Sequence, residues 1–294
     1  MADIFDLALL SAALRMAVPL ILAAIGGILC AQVNVFNIAL EAMMLVGALF
    51  AVVGGYLWGT WQAGLALSLL SGLLCAAVFA LFSIRLKGHP IIVGVVINLL
   101  AQGLTVVLMR VFFGGRGFFL LAIPLLPTYK LPGLGFLGPQ NILYWSAFLG
   151  ILLVHVFLYH TPQGLRMRAS GLKPVAAMTT GVNPVIYQYI AVLSSGVLCG
   201  AAGAWLSLSS LGMFTENMSA GRGFIALSAV LFGKAIPGWV FVSTLVFGFA
   251  EAVAIRLQGR GIPADLVLMV PYVATILSLW LATRQQNKQR QITS

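Results

Sequence analysis

Residues 34–44 read NVFNIALEAMM, a stretch in which two asparagines and a glutamate interrupt an apolar helical pattern. If the flanking residues lie in a membrane, polar side chains here are costly, because hydrocarbon offers them no hydrogen-bond partner. Two interpretations follow for Glu41. It either lies at a helix end near the lipid headgroups, or faces the inside of a helical bundle.

The composition places the chain in a membrane. Of its 294 residues, 61% are hydrophobic and only 7% are charged, against roughly 25% charged in soluble domains. Apolar runs of about twenty residues recur, and each is long enough to cross a hydrocarbon core of roughly 30 Å as a helix. The sequence therefore predicts an all-α, polytopic membrane protein in which residues 1–294 form one transmembrane domain.

Hydropathy predicts nine transmembrane helices. The runs are 8–30, 38–57, 61–84, 90–113, 141–160, 186–211, 219–236, 238–257 and 264–283. Three basic clusters contain Arg85, Arg166 and the tail 284–290. With nine spans all three fall on one side, which the positive-inside rule assigns to the cytoplasm. The N-terminus is then outside and the C-terminus cytoplasmic. Arg116, Lys130 and Arg260 then face outward, so the rule is followed imperfectly. Despite the net charge of +10, the basic residues form no continuous patch, which indicates orientation and not nucleic-acid binding.

The two halves of the chain resemble each other. SIRLKGHPIIVGVVINLL, beginning at Ser83, is similar to AIRLQGRGIPADLVLMV, beginning at Ala254. The pattern suggests inverted repeats 8–113 and 186–283, joined by a helix at 141–160 and a cytoplasmic loop at 161–185. Inverted repeats with discontinuous helices are common among transporters, whose binding sites lie near the bilayer midplane. Chance similarity between apolar helices is the alternative.

In this alignment, residues 34–41 correspond loosely to GMFTENMSAGRGF, residues 212–224. Both segments place polar groups at the start of a span, and such groups usually face a bundle interior or a wet cavity. The candidates for lining a solute path are Asn34, Asn37, Glu41, Glu216, Asn217 and Arg222. The alternative is that they cap helices at the headgroups.

Five blocks of sequence resemble the ribose-type and branched-chain-amino-acid-type permease subunits of bacterial ABC importers. They are NVFNIALEAMMLVGA (34–48), ASGLKPVAAMTTGVNP (169–184), ENMSAGRGFIALSAVLFGK (216–234), FGFAEA (247–252) and MVPYVATI (269–276). The length and the GRGFIAL block are most similar to the shorter permease of nucleoside or simple-sugar uptake systems. The resemblance implies an inner-membrane subunit that works with a double-length ATPase, a second homologous permease and an external binding protein or lipoprotein.

The loop 161–184 is basic and bounded by prolines, and it is expected to contain a short docking helix from about Pro174 to Thr180. Proline suits the first helical turn and Gly181 suits a C-terminal cap. In the family it resembles, this segment is the coupling helix that contacts the ATPase. The resemblance gives as contact candidates Lys173, Ala176, Ala177, Gly181 and Asn183. An interfacial helix that binds anionic membrane lipid is the alternative, and both roles are compatible.

No motif indicates covalent chemistry, a cofactor or a metal. The chain has no GxxxxGK[ST] phosphate loop, and its three cysteines lie singly in apolar segments. The interpretation is a permease subunit, not an enzyme, that moves a small polar solute such as a nucleoside or simple sugar with energy from a separate ATPase. A secondary transporter driven by an ion gradient is the alternative, because intramembrane carboxylates and inverted repeats also occur there.

Overall fold

The computed structural model of the protein describes residues 7–114, 118–120, 123–129, 138–209 and 212–258, and most of these are helical. In chain order the helices are α1 (Leu7–Gln32), α2 (Leu40–Trp58), α3 (Trp61–Ala80), α4 (Pro90–Phe113), α5 (Ile142–His160), α6 (Pro162–Leu172), α7 (Pro174–Thr179), α8 (Pro184–Leu208), α9 (Arg222–Phe232) and α10 (Pro237–Gln258). A π-helical turn, Leu81–Arg85, extends α3. All except α6, α7 and α9 are long and apolar enough to cross a membrane.

One end of the bundle gathers the basic connections, and we call it the basic end. It contains Lys87, between α3 and α4, and Lys173, between α6 and α7. Two contacts show that these connections lie together. Lys87 and Val185 line one cavity, and Gly171 of α6 packs against Gln32 at the end of α1. Accordingly α1, α3 and α5 end there, and α4 and α8 begin there.

The core of the bundle lies around α2. In the most apolar 18-residue stretch of each helix, 83% of the residues are buried in α2 but only 28% in α4. Helices α2, α3 and α8 meet through small residues: a Cβ added to Gly47 would lie 2.8 Å from the Cα of Gly200, and the Ser68 hydroxyl donates to the Gly200 carbonyl over 2.6 Å. The glycine series of residues 196–204 thus packs within the chain, as small residues do between membrane helices.

Two segments enter the bundle without helical structure. Residues 33–39 follow α1 at the basic end, and α2 begins only at Leu40, beside Asn98. Asn98 lies eight residues into α4, or about 12 Å from the basic end at 1.5 Å per residue. Residues 212–221 enter from the opposite end, and α9 then runs about 16 Å to the basic end, where Gln32 Nε2 donates to the Ala235 carbonyl over 2.9 Å.

Short strands lie at the opposite end. They are β1 (Phe118–Leu120), β2 (Thr128–Tyr129), β3 (Gln140–Asn141) and β4 (Met213–Thr215). β1 pairs with β4 and β2 with β3, both antiparallel. The first pair connects the α4–α5 loop to the segment that leads into α9.

The helical, polytopic fold is confirmed, and several predicted boundaries agree closely with observed ones. The run predicted at 90–113 is α4, and the run at 141–160 is α5 within one residue. The run predicted at 219–236 contains only the 11-residue α9, because its first residues form turns at the end of the non-helical entry. The run at 264–283 lies outside the described residues, so the count of nine stays a prediction.

Candidate functional site

Glu41 lies in the first turn of α2 and is only 2% exposed. Its carboxylate accepts two backbone hydrogen bonds from the start of α9. Gly221 N–H donates to Oε1 over 2.9 Å, and Gly223 N–H donates to Oε2 over 2.6 Å. The glutamate is therefore a cap on a helix that is 180 residues away in sequence.

The sequence GRG of residues 221–223 allows this contact. Gly221 precedes α9 with φ of +81°, a conformation that glycine adopts without steric cost. At Gly223, an added Cβ would lie 2.7 Å from Glu41 Oε2 and 2.5 Å from the Glu41 backbone nitrogen. The two helix starts can approach this closely only because Gly223 lacks a side chain.

The start of α2 is capped in a similar way. Asn98 of α4 accepts the Ala42 N–H at Oδ1 over 2.9 Å and donates from Nδ2 to the Ile38 carbonyl over 3.1 Å. α2 and α9, which we call the interrupted helices, thus each begin inside the bundle. In each, a side chain from another helix accepts hydrogen bonds from N–H groups at the helix start. This satisfies backbone groups that hydrocarbon would leave unpaired.

Two helix starts direct partial positive charge at the Glu41 side chain. Glu41 lies in the first turn of α2 and against the start of α9, and both helix starts carry partial positive charge. The α9 start is about 16 Å from the basic end, which is near the middle of a hydrocarbon core of roughly 30 Å. The starts of α2 and α9 therefore meet near the bilayer midplane, and broken-helix transporters place solute and ion sites where helices begin at this depth.

Arg222 forms an ion pair with Glu251 of α10. Its Nε donates to Glu251 Oε1 over 2.9 Å, and its Nη1 donates to the Met218 carbonyl over 3.2 Å. The side chains are only 20% and 14% exposed. Glu251 Oε2 is buried without a hydrogen-bond partner in the described part of the chain.

Asn37 lies in the first non-helical segment and is 1% exposed. Its Oδ1 accepts the Ala39 N–H over 3.0 Å, and its Nδ2 donates to Ser195 Oγ of α8 over 3.0 Å. The side chain therefore fixes the turn before α2 and attaches it to α8.

The other three path candidates are exposed. Asn34 lines a cavity of about 510 Å³ at the basic end, together with Lys87, His89 and Gln188. Glu216 and Asn217 follow β4 at the opposite end. The structure thus brings Glu41 and the residues around Arg222 together and leaves these three at the two ends of the bundle.

The short helix predicted from about Pro174 to Thr180 is present as α7, Pro174–Thr179; its docking role stays a prediction. Lys173, Ala176, Gly181 and Asn183 are exposed, whereas Ala177 is 4% exposed and faces inward. Gly181 has φ of +78° and closes the helix by donating to the Met178 carbonyl over 3.0 Å. Asn183 caps α8 by accepting the Val185 N–H over 3.0 Å.

Sequence reasoning missed several residues of the site. Val175 and Met178 project from α7 at three-residue spacing as an exposed apolar stripe and are 72% and 55% exposed, and Leu172, the last residue of α6, is 82% exposed. The i, i+3 spacing of Val175 and Met178 was the available signal. Asn98 and Glu251 were visible as polar residues within apolar runs, but their partners depend on folding.

The described residues contain no group of three or more His, Cys, Asp or Glu side chains arranged to hold a metal ion. The arrangement provides polar groups inside the bundle at mid-depth and a short exposed helix, α7, at one end. Such an arrangement is that of a membrane transport permease.

Comparison with known proteins places the chain more closely. Residues 9–279 match the family described as branched-chain amino acid transport system / permease component, and the chain belongs to that family. It is 35% identical to the guanosine ABC transporter permease protein NupQ of Bacillus subtilis, over 91% of this chain and 89% of NupQ. No solved structure matches it significantly.

Two further relatives are similar at comparable levels. The nucleoside ABC transporter permease protein NupC of Lactococcus lactis is 34% identical, over 90% of this chain and 88% of NupC. The putative glucose ABC transporter permease protein TsgC13 of Haloferax volcanii is also 34% identical, over 89% of this chain and 81% of TsgC13.

Proposed function

We propose that the protein is the permease subunit of an ABC importer in the bacterial inner membrane, and that it moves a nucleoside inward. The substrate class follows from NupQ and NupC, whose names specify guanosine and nucleosides. A simple sugar is the second candidate, because TsgC13 is described as a putative glucose permease.

The contact of Glu41 with Gly221 and Gly223 is the observation that carries the proposal. It supports a path near the point where α2 and α9 begin, because broken-helix transporters place their solute sites where helices begin at mid-depth. We expect Asn37, Glu41 and Arg222 to lie along that path. Asn34 is then at its cytoplasmic mouth, with Glu216 and Asn217 at its outer mouth.

The energy is supplied by an ATPase that contacts α7 and the residues around it. The exposed stripe of Val175 and Met178 on α7, with exposed Leu172 at the end of α6, supports this, because a helix binds a partner groove through such apolar anchors. Lys173, Ala176, Gly181 and Asn183 surround the stripe, and buried Ala177 supports the helix from beneath. The ATPase is double-length, and a second permease and an external binding protein or lipoprotein complete the importer.

The chain direction supports nine spans with the N-terminus outside and the C-terminus cytoplasmic. α1 begins at the end opposite the basic end, and α10 runs from the basic end to that opposite end. The run at 264–283 would return the chain to the cytoplasm. The inverted repeats 8–113 and 186–283 are supported by the two interrupted helices of opposite direction, and by positive φ angles at Asn34 and Asn217, +58° and +55°.

A carrier driven by an ion gradient is disfavoured. Ion coupling by a carboxylate requires that it bind and release the ion, whereas Glu41 is held by two backbone N–H groups and Glu251 by Arg222. Family membership points the same way.

Uptake by whole cells tests this proposal. The protein and its native partners are expressed in a strain without nucleoside uptake, and entry of labelled guanosine and glucose is measured. We expect guanosine uptake that excess nucleosides compete and that is lost when the P-loop lysine of the partner ATPase is replaced. Uptake that survives this replacement and is abolished by a protonophore would refute the proposal, and glucose uptake alone would assign the sugar.

A further inference from the structure

The exposed face of α4 carries a polar side chain at a depth where lipid offers it nothing. Gln102 is exposed and lies 12 residues into this helix of 24. Among the described residues, it is the one polar side chain exposed in the middle third of any long helix. No hydrogen-bond partner for its side-chain amide is found in the described part of the chain.

The positions next to Gln102 on the exposed face of α4 are a glycine and apolar residues. Gly103 is also exposed, and a Cβ added there would meet no atom within 4 Å. Around this amide and glycine, the exposed face is apolar, with Leu99 64%, Val95 44% and Val107 54% exposed. A small residue beside an amide on an apolar face is the pattern by which membrane helices associate closely and hydrogen-bond across their contact.

The other flank of α4 differs. It borders an apolar groove of about 260 Å³ that α4 shares with α2 and α3, where Ile97 and Leu104 are among the lining residues. Gln102 does not line this groove. Acyl chains are suitable neighbours for the groove flank but leave the Gln102 amide without a partner.

We infer that the α4 face around Gln102 and Gly103 is the surface on which the second, homologous permease subunit packs. This inference rests on the proposed function, which requires such a subunit. The partner supplies a hydrogen-bonding group opposite Gln102, and Gly103 lets its backbone approach. A protein partner satisfies both features at mid-membrane depth, which a lipid tail cannot.

Photo-cross-linking in the native membrane tests the inference. p-Benzoylphenylalanine replaces Gln102 in one variant and Leu149 in the control, with the native partner subunits present. Leu149 of α5 is 55% exposed and lies 11 residues from the basic end of its helix, so the two probes have similar depth. We expect an adduct with the second permease from position 102 and lipid adducts alone from position 149.

Substitutions give a second readout. Gln102 makes no side-chain hydrogen bond within the described chain, so Gln102→Leu should accumulate normally but retain about three- to tenfold less of the second permease during purification. Gly103→Leu should act in the same direction, and Leu149→Gln should not. Equal retention in all variants would contradict the inference.

The outcomes separate this inference from the proposed function. If the second permease co-purifies but cross-links only from position 149, or position 102 reacts only with lipid, the assignment of this face is wrong. An adduct between two copies of this chain, with none to the other permease, also overturns it. If no second permease co-purifies and the chain transports alone, the proposed function itself fails.

Discussion

At the scale of single residues, a carboxylate moved from water into a protein interior loses hydration worth several kcal/mol. For Glu41, hydrogen bonds from two backbone N–H groups at the start of α9 offset this loss of hydration. The nearby guanidinium of Arg222 is engaged by Glu251. Glu41 therefore links the start of α2 to the start of α9 through buried hydrogen bonds, which explains why an apolar chain carries a glutamate at this position.

Removal of this carboxylate should weaken the bundle. Glu41→Leu leaves two buried N–H donors without an acceptor, and we expect a loss of roughly 2–4 kcal/mol in stability and a loss of uptake. The measurement is thermal unfolding of the purified protein in detergent, with uptake in parallel. Glu216→Leu is the control for stability alone, because Glu216 is exposed and lies at the proposed outer mouth of the path. Equal losses of stability in the two variants would show that the contact has no special role.

Gly223 should tolerate no side chain. Gly223→Ala places a methyl group 2.5 Å from the Glu41 backbone nitrogen, so α9 must move away from α2. We expect poor accumulation in the membrane and no uptake. Gly238→Ala is the matched control, because a Cβ there meets nothing within 4 Å and alanine favours a helix by about 0.5–1 kcal/mol. Normal uptake by Gly223→Ala would contradict the contact geometry.

At the scale of elements, the sequence was most informative where hydropathy or proline and glycine set a boundary. α4 and α7 were predicted almost to the residue, because Pro90 and Pro174 start them and Gly114 and Gly181 follow them. α9 was overestimated at 219–236, since apolar composition does not distinguish helix from the non-helical entry before it. The segment's polar residues were recognised, but the alignment set Arg222 opposite Glu41.

The actual contact is made by the glycines on either side of Arg222. A hydrogen bond from a backbone N–H leaves no residue-type signal at the donor, so the sequence identified the right segments but not the bond. The docking helix shows the same limit. Its position was predicted, but the inward direction of Ala177 and the exposed stripe of Val175 and Met178 became visible only in the structure.

Gly181 offers a test at this scale. Its φ of +78° costs a β-branched residue roughly 1–2 kcal/mol, whereas asparagine accepts it readily. We expect Gly181→Val to distort the end of α7 and to uncouple ATP hydrolysis from uptake, with normal insertion in the membrane. The ratio of guanosine transported to ATP hydrolysed is the measurement.

Gly181→Asn is the control and should preserve that ratio, because the exposed position has space for a side chain. Normal coupling in Gly181→Val would count against α7 as the coupling element. Loss of coupling in both variants would indicate that the absence of a side chain matters, and not the backbone conformation.

At the scale of the whole molecule, the two interrupted helices give the bundle its polarity. Both begin inside the bundle at mid-depth, but α2 runs away from the basic end, whereas α9 runs toward it. Their starts share the Glu41 contact, so a shift of α2 against α9 would alter this buried site. The exposed stripe on α7 lies at the end where an ATPase would push.

The orientation of the bundle gives a further prediction. A cysteine in place of Tyr129, which is 54% exposed at the end opposite the basic end, should react with a membrane-impermeant maleimide in intact cells. A cysteine in place of Ala176 should react only after permeabilisation. The native Cys30 and Cys199 are buried, but a variant with all three native cysteines replaced is the appropriate background. The reverse labelling pattern would invert the proposed topology.

The most direct test of the central claim, that this bundle is a solute path worked by a separate motor, is guanosine uptake into proteoliposomes. The purified permease is reconstituted with and without its partner ATPase and external binding protein, and an ion gradient or ATP is supplied in turn. The account predicts uptake only with the partners and ATP, and its loss with Glu41→Leu. Uptake by the permease alone under an ion gradient, unaffected by Glu41→Leu, would contradict it.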